Sequence, residues 1–236
     1  MSFFYEQLDF QPTPIGDLML RRRRMPLFGD TDIYEVKLAE DFLMTSLFHE
    51  AESQLAILGL AAMDQENLDV VVGGLGLGYT AVEALKDDRV ASLVVVDFLE
   101  AVIGWHQSEL VPLGKILNED ERCRLMHADF FALMHNPPEK QVDAILLDID
   151  HTPTNVLNQT NTHFYTAAGL AEMAQHLKPR GVFAMWADGA PDETFRAHLA
   201  TVFTSAEAHT IEFDNPITGG SSVGAVYVAQ GSRTNG

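Results

Sequence analysis

Cysteine is almost absent from this 236-residue chain, with Cys123 alone. A lone cysteine forms no intramolecular disulfide and no thiolate metal cluster, and it fits a reducing cytoplasm. Basic residues are also scarce: 15 Lys and Arg stand against 34 Asp and Glu, a net charge of −19. Such a surface repels nucleic acid and anionic membrane and attracts cations. No apolar run approaches the length needed to cross a bilayer. The first ten residues, MSFFYEQLDF, carry acids where a signal peptide would carry Lys or Arg, so export is not expected. No internal repeat or low-complexity segment interrupts the pattern. What remains is a chain with 47% apolar residues, enough for a well-buried core.

Within that core one stretch carries most of the information. Leu68 to His106 reads LDVVVGGLGLGYTAVEALKDDRVASLVVVDFLEAVIGWH. An apolar strand runs into a turn containing Gly73, Gly74, Gly76 and Gly78. A helix follows from about Tyr79 to Lys86, and a second apolar strand ends on Asp97. This is a βαβ unit with a glycine-rich first turn and a carboxylate at the tip of its second strand, placed to accept both hydroxyl protons of a ribose. The reading is an adenosine-containing cofactor. The glycine spacing suits an S-adenosyl group, which has no pyrophosphate to seat, at least as well as NAD.

Along the rest of the chain, residues 1 to about 40 read as short strands, Asp17 to Arg24 and Asp32 to Leu38. They form a small β-rich N-terminal region ahead of a catalytic domain spanning about 41–230. Arg21 to Arg24 read as a solvated or ion-paired edge strand rather than an anion site. Apolar spacing predicts a helix from Asp41 to about Leu60. Then come strand 68–73, helix 79–86, strand 91–97, helix 99–116, strand 122–127, short helix 129–134, strand 142–148, helix 161–177, strand 180–186 and helix 191–203. Strands at 206–213 and 222–229 close the chain as an antiparallel edge hairpin, and Gly231 to Gly236 read as a frayed tail. Alternating strands and helices imply an α/β fold with a doubly wound, mostly parallel sheet of seven strands. Ligands of such sheets bind beyond the carboxyl ends of the strands. Those ends hold the glycine turn, Asp97 and Phe98, Asp129 and Phe130, Asp148 to His151, and Trp186 to Asp188. Asp129 and Asp188 also suit helix N-caps.

These segments, in this order, resemble the spermidine synthase (polyamine aminopropyltransferase) family, whose Rossmann-like fold is of the class I methyltransferase type. Asp41-Phe42 and His49-Glu50 resemble its segment before the fold, and VVVGGLGLG its cofactor loop. His127-Ala128-Asp129-Phe130 is similar to its adenine-reading segment, and Ala144 to Pro153, AILLDIDHTP, to its catalytic strand and gating loop. His163 to Trp186 and Asn215-Pro216 match its later segments. The resemblance implies decarboxylated S-adenosylmethionine or S-adenosylmethionine as cofactor, with no metal. It implies contacts from Gly73, Gly74, Gly76, Gly78, Asp97, Phe98, Asp129 and Phe130. Asp148 then takes a proton from the attacking amine, and Asp150 holds the far ammonium of a diamine. His49, Glu50, Tyr79, His151 and Trp186 line the acceptor pocket. The resemblance also implies a homodimer, a cationic amine substrate and no nucleic-acid or membrane partner.

Two departures leave the reaction open. Leu75 and Leu77, not an acid, interrupt the glycines, and Asp150 stands two residues short of the position before Pro153. Methyl transfer from S-adenosylmethionine, silent binding of an adenosyl metabolite, and an NAD oxidoreductase are therefore the alternatives.

Overall fold

A computed structural model describes residues 4–233. Its first unit is an antiparallel sheet ordered β1-β2-β3-β4, with β1 Phe4–Thr13, β2 Gly16–Arg24, β3 Ile33–Leu38 and β4 Asp41–Thr45. The arginine run lies on β2, an inner strand rather than an edge. Its charges are paired in strand register. Arg21 and Arg23, alternate residues on one face, both grip the buried Glu35 at 2.5 and 2.6 Å. On the other face Arg22 pairs with Glu6 and Arg24 with Asp32, at 2.7 and 2.5 Å. The run is therefore internal bracing, as its ion-paired reading expected, although its edge position is corrected.

The predicted helix from Asp41 is also corrected. Asp41–Thr45 pairs with β3 as a strand, and helix α1 begins only at Glu50 and runs to Ala61. Strand β1, with exposed Phe4, Tyr5 and Phe10, was not anticipated.

The second unit is a seven-stranded sheet of order β10-β11-β9-β8-β5-β6-β7. Strands β5 (Leu68–Gly73), β6 (Val90–Asp97), β7 (Cys123–His127), β8 (Val142–Leu147) and β9 (Leu177–Asp188) are parallel to their neighbours among these five. The final hairpin, β10 Phe203–Asn215 and β11 Gly220–Ser232, is antiparallel, with β10 at the edge. Gly231 and Ser232 thus belong to a strand, correcting the frayed reading there; residues 234–236 lie outside the described range.

Helices cover both faces, burying one core beneath α1, α2 (Tyr79–Leu85), α3 (Glu100–Gln107) and α4 (Gly114–Glu119). A second core lies beneath α5 (Phe130–His135), α6 (Ala167–Ala174) and α7 (Glu193–Val202). Two expected helices are broken. Residues 99–116 divide where Glu109 takes a left-handed φ of 57° ahead of Pro112. Residues 161–177 begin as a 3-10 segment, Gln159–Tyr165, and restart at α6, where the Thr166 side chain caps Gly169.

The sheet reverses direction of growth at β5: the chain continues to β6 and β7 on one side and returns as β8 and β9 on the other. A crevice forms where these connections diverge, at the carboxyl ends of the strands.

Candidate active site

The crevice is a cavity of about 470 Å³. Gly74, Gly76, Asp97, Phe98, Asp129, Phe130, Asp148, His151 and Trp186 all line it, so most of the sequence-derived residues converge on one space. Phe42, Met44 and Phe48 enter from the N-terminal segment, and Phe213 and Asn215 from the final hairpin.

The glycines divide their work. Gly74 turns at φ 97°, and a Cβ there would collide with the carbonyl of Asp148; only glycine lets β5 and β8 end so close together. At Gly76, φ 47°, a Cβ would stand 2.5 Å from the Met44 sulfur, which also accepts the Leu77 N–H at 3.2 Å. The loop is thus pinned from the N-terminal sheet. Gly73 and Gly78 are not among the lining residues: Gly73 packs on the Phe130 ring and Gly78 on His106. His106, fully buried, braces the loop through Nε2 on the Gly76 carbonyl at 2.9 Å. Leu75 and Leu77 are buried in the core, so the loop offers no acid to the cavity.

Asp97 accepts the N–H of Leu75 at 2.9 Å and of Leu99 at 2.8 Å, one on each oxygen. Burial pushes its carboxyl up, while these backbone donors hold it down. With the Gly76 N–H also bonded to this carboxylate, Asp97 keeps acceptor capacity for a hydroxyl proton on the cavity side. Asp129 caps α5 by accepting the Ala132 N–H at 3.1 Å while still lining the cavity. One side chain thus both caps the helix and lines the cavity.

The same cavity is lined by a pair of acids, Asp148 and Glu52. Asp148 accepts the Thr80 hydroxyl at 2.7 Å. Burial pushes its carboxyl up to about 6, and the Thr80 hydrogen bond opposes the rise. Glu52, on the first turns of α1, is pushed up to about 8 by burial and then by the Asp148 charge. Near pH 7 the pair therefore holds one proton between its two carboxyls. Sequence reasoning chose Glu50 instead. Glu50 is exposed and accepts the His49 N–H at 3.0 Å, outside the cavity. A signal for Glu52 was present: it stands three, four and seven residues before Leu55, Ala56 and Gly59, all buried, and so lies on the apolar stripe of α1.

Three further residues fall elsewhere than expected. Asp150 is buried and turned away from the cavity, accepting the Leu157 N–H at 2.6 Å, the Asn161 amide at 3.1 Å and the Tyr165 hydroxyl at 2.7 Å. It anchors the segment 150–165 and has no free face for a diamine. His49 stacks on Tyr79, ring centroids 4.1 Å apart, and the Tyr79 hydroxyl reaches the Ser46 carbonyl at 3.4 Å. That pair lies behind the cavity wall, absent from the lining. By contrast, the indole N–H of Trp186 is buried at the wall without a protein acceptor among the described residues. Such a donor is costly unless a ligand satisfies it.

No family model matches the chain. A polyamine aminopropyltransferase of Saccharolobus solfataricus is 29% identical over 154 residues, covering 65% of this chain and 49% of that protein. The chain thus matches about half the length of this curated relative. Two solved structures share the fold, each with a TM-score of 0.74 over 95% of this chain. One is a spermidine synthase in complex with the transition-state analogue AdoDATO, 18% identical, with 73% of its own chain covered. The other is the spermidine synthase of Thermotoga maritima, 17% identical, with 72% covered. Among the described residues no helix is long and apolar enough to cross a membrane. The chain is thus similar in sequence to a polyamine aminopropyltransferase and shares its fold with spermidine synthases.

Proposed function

We propose that this chain is an aminopropyltransferase that uses decarboxylated S-adenosylmethionine and an amine acceptor. The observation that carries the reading is the convergence of Asp97, Asp129, Asp148 and Glu52 with the open glycine turn on one cavity. On this reading Asp97 takes the ribose hydroxyls and Asp129 the adenine amino group, between apolar walls from Phe98, Phe130 and Phe131; what supports it is that all five line one cavity.

When bound, the cofactor supplies a carbon made electrophilic by its sulfonium. The acceptor nitrogen would bond to that carbon as the carbon–sulfur bond broke, the electron pair going to methylthioadenosine as leaving group. A protonated amine has no lone pair for attack, so a base must receive its proton. Asp148, unprotonated above about pH 6 and held by Thr80, takes that role. The single negative charge that the Asp148–Glu52 pair carries near pH 7 also favours the cationic transition state. Because the glycine loop carries no acid, this pair takes over the cofactor's amine end, and the protein's overall negative charge favours entry of a cation.

The loop's missing acid also favours a second reading, methyl transfer from S-adenosylmethionine, in which positioning dominates and little acid–base machinery is needed. Mass-spectrometric assay of both products distinguishes the two. Aminopropyl transfer forms methylthioadenosine, and Asp148→Asn reduces its rate at least about 100-fold, the ordinary contribution of a positioned base. Formation of S-adenosylhomocysteine instead, or undiminished turnover by the variant, overturns the assignment.

A further inference from the structure

Outside the cavity, three side chains from three separate segments converge on the surface. His135 ends α5, His163 lies in the 3-10 segment Gln159–Tyr165, and Glu172 lies on α6. One oxygen of Glu172 receives both rings, His135 Nδ1 at 2.8 Å and His163 Nε2 at 3.0 Å. The three donor atoms lie within 4.8 Å of one another. The rings stand edge to face at 88°, and their nitrogens meet at the same Glu172 oxygen.

We propose that His135, His163 and Glu172 form a surface site for a divalent cation of the zinc class. Two imidazoles and one carboxylate are the donor set such a borderline ion prefers, with a fourth position left to water. Bond lengths of about 2.0–2.1 Å in a tetrahedral site separate neighbouring donors by roughly 3.3 Å. The observed 2.8 and 3.0 Å need widen only slightly, and the two nitrogens, within 4.8 Å of each other, move to the same spacing. All three side chains are at least partly exposed, so the adjustment disturbs no core packing. Each ring would exchange its N–H···O bond for a metal bond by moving its proton to the other nitrogen.

Position gives the site a consequence. The ion would clasp α5, which begins beside Asp129 and carries Phe130, to the segment that holds Asp150 through Asn161 and Tyr165. It would thereby tie the adenine side of the cavity to the segment after Asp148.

The test uses the full chain without an affinity tag. Zinc chloride is titrated by calorimetry, and cobalt(II) is followed by its visible d–d absorption. The expected result is one saturable ion per chain and a cobalt spectrum of tetrahedral intensity. A rise in melting temperature at saturating zinc is also expected. Each of His135→Ala, His163→Ala and Glu172→Gln should weaken binding at least about 10-fold, a loss that even outer-shell partners of a metal produce. His209→Ala, which removes the ring beside Glu207 at 3.6 Å, should leave binding unchanged. Absence of saturable binding overturns the proposal, as does binding that survives the double variant His135→Ala/His163→Ala.

Discussion

Replacing Glu52 by Gln should stabilise this protein, and increasingly so as pH rises. The Glu52 carboxyl sits at about 8 in the folded chain against an ordinary 4.5, because burial and the Asp148 charge oppose its ionisation. The folded state therefore keeps a proton that the unfolded chain releases as pH passes 4.5. Relative to an unperturbed carboxyl, stability is intact below that point, declines through the window and reaches its full deficit above about pH 8. A shift of about 3.5 units at about 1.36 kcal/mol per unit sets a ceiling near 5 kcal/mol. Glu52 borders a cavity that water reaches, so about half of that, 2–3 kcal/mol, is the working magnitude. Gln keeps the shape of the protonated acid and has nothing to ionise. For a domain of this size, 2–3 kcal/mol corresponds to a melting temperature higher by about 5–10 °C. Thermal melts of both proteins by circular dichroism from pH 4 to pH 9 provide the assay. The curves should coincide near pH 4 and separate by that amount near pH 9. An offset independent of pH, or a less stable variant at pH 9, refutes the coupled, buried pair.

Three more outcomes follow from the same geometry. Gly74→Ala combines a left-handed φ of 97° with a collision against the Asp148 carbonyl; chemical denaturation should register a loss of more than about 2 kcal/mol, and a smaller loss would show that β5 and β8 can part cheaply. Tyr165→Phe leaves the buried Asp150 short of a donor. It should cost about 1–3 kcal/mol and speed limited proteolysis within 150–165 while sparing adenosyl binding; unchanged cleavage would sink the anchoring role of Asp150. Glu35→Gln strips the charge that Arg21 and Arg23 share, and a loss of about 3 kcal/mol or more in urea unfolding is expected; a neutral result would mean that the two guanidiniums find water.

The sequence disclosed the site where chemistry and chain order coincide. Strand, glycine turn, helix and terminal acid occupy consecutive positions from Val70 to Asp97, so local pattern alone located one wall of the cavity. It was less legible where three-dimensional context decides. Phe42 and Leu43 carry helix-like spacing with Leu47 and Phe48, yet pairing with β3 draws Asp41–Thr45 into a sheet. Asp150 and Asp148 stand two apart, but the first turns inward because Leu157, Asn161 and Tyr165 supply donors from a distance. Glu50 and Glu52 differ by two positions on a helix, enough to rotate one into water and the other into the cavity. Their roles separate only once the helix is docked. His135, His163 and Glu172 carry no spacing motif at all; folding alone brings them together.

The most direct test of the central claim is calorimetric affinity for decarboxylated S-adenosylmethionine, S-adenosylmethionine and NAD, measured on the native chain and on Asp97→Ala. The account predicts tightest binding of the decarboxylated form. It also predicts a loss of about 10-fold or more in the variant, since hydrogen bonds to a charged acceptor contribute about 1.5–3 kcal/mol. Preference for the carboxylated form would transfer the account to methyl transfer. No binding of either adenosyl ligand, or affinity untouched by Asp97→Ala, would contradict it.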